Sequence, residues 1–230
     1  MKRLTPITTG STHHVFSKSI SHFQIFNTPP EYERFFHILR YYRTVGHNVP
    51  FSKLILKAAT DPSVLETALL HNAQNYPARV DIIAYCLMPT HFHLILHQNL
   101  DNGIERFLAD VCNSYSHYFN LRHNRKGPLW QNRFGNSRIE NQPELLETTR
   151  YLHLNPSTAF LVDHPADWTY SSFGEYTGKA RLPAICQLES LATLTSDAHY
   201  EFYVVSHIEA HRLIKHGPRQ LRELTKKGST

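Results

Sequence analysis

The 230-residue sequence has little cysteine and no long hydrophobic run, and each absence excludes a class of protein. Cys86, Cys112 and Cys186 lie far apart without a CxxC pair, so neither a disulfide framework nor a cysteine-rich zinc site is expected. No apolar stretch approaches the roughly 18 residues of a membrane helix. The segment 1–11 is polar and lacks the apolar core of a secretory signal. We therefore expect a cytoplasmic protein without a membrane partner.

Acidic residues are absent from one long basic segment. The chain has 24 Lys and Arg against 19 Asp and Glu, a net charge of +5. Residues 111–139 contain five basic residues and no acid, and residues 212–230 contain six basic residues and one acid. A basic stripe on an otherwise neutral body is typical of nucleic-acid-binding proteins. A solvated helix face with a charged tail is the alternative, and composition alone does not separate the two.

Hydrophobic periodicity predicts strands interleaved with helices. Strands are predicted over residues 13–19, 80–88, 91–98 and 131–141, and helices over 31–45, 61–73, 101–123, 143–154 and 197–215. This order predicts an α+β, ferredoxin-like (split βαβ) fold, with an antiparallel sheet and helices on one face. We expect one domain over residues 1–178, with a helical insertion at about 46–77, and a helical C-terminal extension with a basic tail over 179–230.

A His-Phe-His motif lies on the third predicted strand. Because side chains alternate faces along a strand, His91 and His93 should stand on one face and Phe92 on the other. Two neutral imidazoles in this arrangement can hold one metal ion. The motif alone is equally compatible with two ordinary histidines. His97 should share their face, but it lies too far along the strand to join them.

A tyrosine and an asparagine lie four residues apart near the end of a predicted helix. Tyr151 and Asn155 therefore share one helix face, and His153 should point away from them toward the surface. A neutral phenol, with a pKa of about 10, is a weak nucleophile. A divalent ion bound by the amide oxygen of Asn155 could orient a phosphodiester and stabilise the developing charge. Packing for Tyr151 and helix termination for Asn155, before Pro156, are the alternatives.

Four segments carry a resemblance to a known family when taken in order. They are residues 85–94 (YCLMPTHFHL), 127–134 (GPLWQNRF), 150–156 (RYLHLNP) and 168–173 (WTYSSF). Together they resemble the single-tyrosine HUH transposases of small insertion sequences and the REP-associated tyrosine transposases. The Tyr-x-x-x-Asn-Pro pattern is closest to the REP-associated branch, and the resemblance spans residues 13–178.

The resemblance implies a metal-dependent DNA transposase that cleaves and rejoins single-stranded hairpin or repeat ends. Tyr151 would attack a DNA phosphate, forming a 5′-phosphotyrosine and leaving a free 3′-OH. His91, His93 and Asn155 would hold Mg²⁺ or Mn²⁺, with Asn155 in a place where relatives can carry Gln. Imidazole by itself better suits Zn²⁺, whereas phosphate oxygens and water at the remaining positions favour a hard ion. We expect these three ligands to share one sphere that Tyr151 faces, within one chain or across a homodimer.

The acid-free segment supplies the candidate DNA-binding residues. They are Arg122, Arg125, Lys126, Trp130, Arg133, Phe134 and Arg138. Trp130 and Phe134 could stack on unpaired bases or pack a helix onto the sheet, and the sequence leaves both readings open. The basic tail is the competing DNA-binding surface.

Two alternatives remain at the level of function. The first is a ferredoxin-like module that binds structured single-stranded DNA without cleaving it. Such a module would not need His91, His93, Tyr151 and Asn155 together. The second makes Tyr115 or Tyr118 a further nucleophile, but their spacing continues the apolar stripe of a helix, which favours core packing.

Overall fold

The computed structural model describes residues 6–47, 49–131, 133–188 and 197–227, with side chains described up to residue 217. Its strands are β1 (Thr12–Lys18), β2 (Val80–Met88), β3 (His91–Gln98) and β4 (Gly135–Ile139). Its helices are α1 (Pro29–Tyr42), α2 (Phe51–Ala58), α3 (Ser63–Asn75), α4 (Gly103–Arg122), α5 (Gln142–Thr158), α6 (Phe173–Tyr176), α7 (Asp197–Val205) and α8 (Ile208–Lys227). Short 3₁₀ turns span Ile20–His22 and Pro165–Asp167. Within the described ranges, no helix is long and apolar enough to cross a membrane.

The four strands form a sheet in the order β2-β3-β1-β4. Strand β1 pairs antiparallel with both β3 and β4. The bounds of β2 and β3 coincide with the sequence prediction, because Pro89 and Thr90 interrupt the apolar run between them. The predicted α+β fold with an antiparallel sheet and C-terminal helices is confirmed.

The chain divides into two compact units. The first comprises Met1–Ile83 with Pro89–Glu140, and the second comprises Ala84–Met88 with Asn141–Thr230. The first unit thus holds the His-Phe-His motif, and the second holds α5 with the C-terminal helices. The domain boundary after residue 178 stays a prediction.

An aromatic cluster forms the core of the first unit. Phe92 lies 5.1 Å from Phe35 of α1, measured between ring centroids, and Phe35 lies 5.1 Å from Tyr115 of α4. The Tyr115 hydroxyl donates a 2.5 Å hydrogen bond to the carbonyl of Ile25. Tyr115 is fully buried, which confirms core packing for this tyrosine. Since Phe92 faces these helices, its two histidine neighbours project from the opposite face of the sheet.

A buried carboxylate fixes the start of α1. The Oε2 atom of Glu31 accepts hydrogen bonds from the backbone N–H groups of Asn27 at 2.6 Å and Thr28 at 3.1 Å. Its Oε1 atom lies 2.6 Å from Nε2 of His123, at the end of α4. Burial raises the pKa of Glu31, but the N–H of Asn27 and the His123 imidazole outweigh it and leave the pKa below its ordinary value.

Several element boundaries differ from the sequence prediction. The 46–77 region contains the additional helix α2, in which Phe51 and Leu54 bury an apolar face. Its eight residues are too short a stretch for the helical spacing of apolar residues to repeat. Strand β4 begins at Gly135 and is shorter than predicted, although the backbone N–H of Gln131 still donates a hydrogen bond to the carbonyl of Lys18. The predicted C-terminal helix is two helices, which separate at residues 206–207.

Candidate active site

The histidines of β3 face a row of side chains from β1. In the antiparallel register, His93 lies opposite Phe16 and His91 lies opposite Lys18. The ring centroids of His91 and His93 are 5.1 Å apart, and His14 of β1 stacks on His93 at 5.1 Å with an interplanar angle of 22°. His93 is 5% exposed. The predicted placement of both histidines on one face is confirmed.

Each of these two histidines has its Nδ1 atom in a hydrogen bond. His91 Nδ1 lies 2.9 Å from the hydroxyl of Thr90, and His93 Nδ1 lies 2.9 Å from Nε2 of His14. Burial lowers the pKa of His14 to about 4, so its imidazole is neutral at pH 7. A hydrogen bond at one ring nitrogen determines which nitrogen can ligate a metal. The pattern is therefore suited to ligation through the Nε2 atoms of His91 and His93.

The kinds of side chain near β3 bear on the predicted metal site. Among the residues that the structure describes, no group of three His, Cys, Asp or Glu side chains could hold a metal ion. The three-ligand site therefore stays a prediction, with the amide oxygen of Asn155 as its third donor. An amide oxygen is a hard ligand that suits Mg²⁺ or Mn²⁺.

Helix α5 presents Tyr151 to solvent. The Tyr151 side chain is 42% exposed, although most of its neighbours on the following turn are buried. Partial burial raises the pKa of Tyr151, and a hydrogen bond with the Asn155 side chain lowers it in part. The net pKa stays above its ordinary value, so the phenol is protonated at pH 7. The hydroxyl can be reached by a substrate, but its proton must leave when it attacks.

Asn155 is held by a defect in the helix. Pro156 lies inside α5, where it provides no N–H for the carbonyl of Leu152 four residues earlier. The Asn155 Nδ2 atom donates to the carbonyl of Tyr151 at 3.0 Å and to that of Leu152 at 3.5 Å. The side-chain amide therefore substitutes for the missing backbone donor, and α5 continues to Thr158 instead of ending at residue 154 as predicted. Nδ2 is thereby bound to the helix, and the same side chain also interacts with the Tyr151 phenol.

The prediction that His153 lies at the surface is wrong. His153 is fully buried, with Nδ1 2.6 Å from the Tyr200 hydroxyl and Nε2 2.8 Å from Oγ of Ser172. Burial lowers its pKa to about 3, so it is neutral. Helix geometry fixes only the side of α5 on which His153 lies, whereas both of its hydrogen-bond partners come from distant segments. The YSSF segment at 170–173 was the sequence feature that could have indicated a buried partner for His153. Its Ser172 hydroxyl also accepts a hydrogen bond from the backbone N–H of Tyr85.

The candidate residues come from both units. His91 and His93 belong to the first unit, and Tyr151 and Asn155 belong to the second. Their convergence on one ligand sphere stays a prediction.

The candidate DNA-binding residues fall into two groups. Three are engaged within the first unit. Arg125 donates to the carbonyl of Pro128 at 2.7 Å and lies over the ring of Phe23 at 5.5 Å. Arg122 lies 3.5 Å from Glu31, and Arg138 lies 3.3 Å from Glu140. Lys126 and Arg133 are exposed, and Phe134 is half-buried.

Trp130 takes the packing role that the sequence left open. Its ring lies 5.3 Å from Phe92, and its Nε1 donates to the carbonyl of Cys112 at 3.1 Å. The indole therefore joins α4 to the sheet. In the competing basic tail, Arg212 donates to the carbonyl of Ser157, while side chains beyond Gly217 lie outside the described residues.

Comparisons with known proteins agree with the sequence pattern. Residues 59–155 match the family described as Transposase IS200 like. A Haemophilus influenzae protein named as a REP-associated tyrosine transposase is 28% identical over 119 residues, which cover 46% of this chain and 65% of that protein, just under two thirds. The solved structure of a REP-associated tyrosine transposase bound to a REP hairpin aligns with a TM-score of 0.52 at 16% identity, over 83% of this chain and 96% of that one, and supports the fold. The resemblance is confirmed: residues 59–155 match the IS200-like transposases, and the chain is similar in sequence to a REP-associated tyrosine transposase.

Proposed function

We propose that this protein is a metal-dependent transposase that cleaves and rejoins single-stranded DNA through Tyr151. The observation that carries the proposal is the exposed Tyr151 phenol, one helical turn from an Asn155 amide whose nitrogen is bound to the helix. A purely structural tyrosine would gain from burial of its ring. The proposed reaction also needs metal ligands, and His91 and His93 lie next to each other on one face of the sheet.

The reaction exchanges one phosphodiester for another. The Tyr151 oxygen forms a bond to phosphorus as the bond from phosphorus to the 3′ oxygen of the preceding nucleotide breaks. The phenol loses its proton, and the departing 3′ oxygen gains one. The products are a 5′-phosphotyrosine and a free 3′-OH, and attack by a 3′-OH on the phosphotyrosine reverses the step to join strands. No water needs to be activated, because the protein supplies the nucleophile.

His91, His93 and Asn155 are the proposed ligands of Mg²⁺ or Mn²⁺. When bound, the ion would polarise the scissile phosphate and offset the negative charge that develops on its oxygens. This help matters because a phenol, with an ordinary pKa of about 10, holds its proton at pH 7 and attacks poorly without it.

Structured single-stranded DNA is the proposed substrate. Support comes from the solved relative, which is bound to a REP hairpin, and from the exposed Lys126 and Arg133 in the acid-free segment. Lys126 is assigned the leading role, and Arg122, Arg125, Arg133 and Arg138 a supporting one, since each of these arginines interacts with another group of the protein.

The test compares Tyr151→Phe with a matched control, Tyr115→Phe. A hairpin oligonucleotide labelled at its 3′ end is incubated with Mn²⁺ and separated on a denaturing gel, where the covalent adduct migrates slowly. Tyr151→Phe removes only the attacking oxygen, so it should retain hairpin binding and lose the adduct. Tyr115→Phe should still form the adduct, because the Tyr115 hydroxyl is buried in the core, where it donates a hydrogen bond to the carbonyl of Ile25.

Two outcomes would contradict the proposal. Adduct formation by Tyr151→Phe would identify another nucleophile. A wild-type protein that binds the hairpin tightly but forms neither an adduct nor a shortened 5′-labelled strand would be a binding module without cleavage.

A further inference from the structure

We infer that His14 is a positioning residue for the proposed metal ligand His93: its Nε2 accepts the Nδ1–H of His93 and thereby directs the Nε2 of His93 toward the ion. The inference rests on the proposed metal site and assigns a function to a residue of a different strand. It concerns residues of the first unit only.

The geometry of the pair supports a directed hydrogen bond. His14 Nε2 and His93 Nδ1 are 2.9 Å apart, which is within the usual range for a hydrogen bond from a ring N–H. The residues are 79 positions apart in sequence, and the antiparallel register of β1 with β3 brings them together. The pairing of β1 with β3 therefore sets the distance between the backbones of His14 and His93.

The chemistry of imidazole gives the bond its consequence. A neutral imidazole carries its hydrogen on one ring nitrogen and a lone pair on the other. When Nδ1 of His93 donates to His14, the lone pair resides on Nε2, the nitrogen that ligates. Hydrogen bonds of this kind to metal-binding histidines orient the ring and raise its basicity.

The neighbouring ligand has an equivalent arrangement made from a different residue. His91 Nδ1 lies 2.9 Å from the Thr90 hydroxyl, which is the adjacent residue in the turn before β3. His93 has no such turn beside it, because it lies inside the strand, and its partner has to come from β1. In both proposed ligands Nδ1 is therefore hydrogen-bonded, in His91 to a turn hydroxyl and in His93 to an imidazole of β1.

An aromatic side chain confines both rings of the pair. The ring of Phe16 lies 5.5 Å from His14 and 5.8 Å from His93, between centroids. Phe16 in turn lies over Gly135 of β4, where an added Cβ atom would come within 2.3 Å of the Phe16 ring. The absence of a side chain at 135 gives Phe16 its place, so a third strand contributes to the alignment of the histidines.

The experiment compares His14→Phe, His14→Gln and the control His97→Phe. Phenylalanine retains a ring but cannot accept the hydrogen bond, whereas the glutamine amide oxygen can. His97 lies on the same face of β3, and its Nδ1 is bonded to the Thr12 hydroxyl at 3.0 Å, away from the proposed ligands. Mn²⁺ affinity of the DNA-free protein is measured by calorimetry, and the melting temperature without metal is measured in parallel.

We expect His14→Phe to weaken Mn²⁺ binding about 10- to 100-fold. His14→Gln should recover most of the affinity, and His97→Phe should change it little. Long-range ¹⁵N–¹H spectra of the metal-free protein supply a second readout: His93 should carry its proton on Nδ1 in the wild type and lose that preference in His14→Phe. A purely structural role for His14 would lower the melting temperature and leave this tautomer unchanged.

The outcomes separate the inference from the proposed function. If the wild type binds Mn²⁺, His93→Ala abolishes binding and His14→Phe binds as the wild type does, the positioning role is wrong and the metal site stands. If His93→Ala binds Mn²⁺ as well as the wild type does, the ligand assignment fails and the role of His14 fails with it.

Discussion

His93 and His153 are both buried histidines, one in each unit, and their surroundings differ. Both ring nitrogens of His153 are bonded to hydroxyl groups, those of Tyr200 and Ser172. His93 belongs to a row of imidazoles on one sheet face, with Nδ1 bonded to His14. The hydrogen-bonding capacity of His153 is used up by the protein, so it cannot ligate a metal without losing a buried partner. Burial of a histidine therefore does not indicate function; the partners of its two nitrogens do.

The largest expected effect is on stability, from His153→Ala. It leaves a cavity and deprives the Ser172 and Tyr200 hydroxyls of a buried partner, so the free energy of unfolding should fall by about 3 kcal/mol. Urea unfolding measures the change, with His93→Ala as the matched control. We expect the control to lose less than half as much. Equal losses for the two variants would remove the distinction drawn between the two histidines.

A second, smaller effect tests a buried acid of the first unit. Glu31→Gln replaces a charged acceptor by a neutral one, and we expect a loss of about 2 kcal/mol at pH 7. The folded pKa of Glu31 is lowered, so its contribution is present above the unfolded pKa of about 4.3 and is lost as pH falls through the folded value.

The measurement for Glu31 is unfolding by urea between pH 3 and pH 7. The wild type should lose stability more steeply than Glu31→Gln below about pH 4.3, so the two curves should converge in acid. Curves that stay parallel over this range would show that the carboxylate charge contributes nothing. Glu33→Gln, on the same helix, is the control and should follow the wild type.

The smallest expected effect is on the salt dependence of DNA binding. It compares a basic residue that is exposed with one that is hydrogen-bonded within the protein. Lys126 is exposed, whereas Arg125 is bonded to Asn120 and to loop carbonyls. Lys126→Gln should lower the slope of log affinity against log salt by about 0.7, the value for one phosphate contact on single-stranded DNA.

Arg125→Gln should change that slope less and instead loosen the loop at residues 125–128. Hairpin titrations at several salt concentrations measure both slopes. A larger slope change for Arg125→Gln than for Lys126→Gln would mean that the arginine leaves its loop partners to bind phosphate. No slope change for either variant, together with a large loss of affinity when residues 217–230 are deleted, would move the DNA-binding surface to the basic tail.

How much the sequence could predict depended on the range of the interactions. Strand alternation is local, so the common face of His91 and His93 followed from spacing alone. The bounds of β2 and β3 followed from a local break at Pro89. His14 could not be paired with His93 from the sequence, since the contact depends on the register of two strands that are far apart in the chain.

The errors have the same origin. His153 was placed at the surface because helix geometry says which way a side chain points but not what covers it. The predicted end of α5 is too early because proline usually terminates a helix, whereas here the Asn155 side chain partly compensates for the N–H that Pro156 lacks. Tertiary or side-chain partners overrode the local rule in both cases.

The proline in α5 also constrains how the protein can diverge. While residue 156 is a proline, the side-chain amide of Asn155 has two roles. Its nitrogen donates to the carbonyls of Tyr151 and Leu152, and its oxygen is the proposed metal ligand. A substitution of Pro156 by Ala would return a backbone donor to the carbonyl of Leu152, so the Asn155 amide would no longer need its 3.5 Å contact with that carbonyl. We therefore expect positions 155 and 156 to be epistatic, so that a longer amide at 155 is tolerated better after the proline is replaced than before.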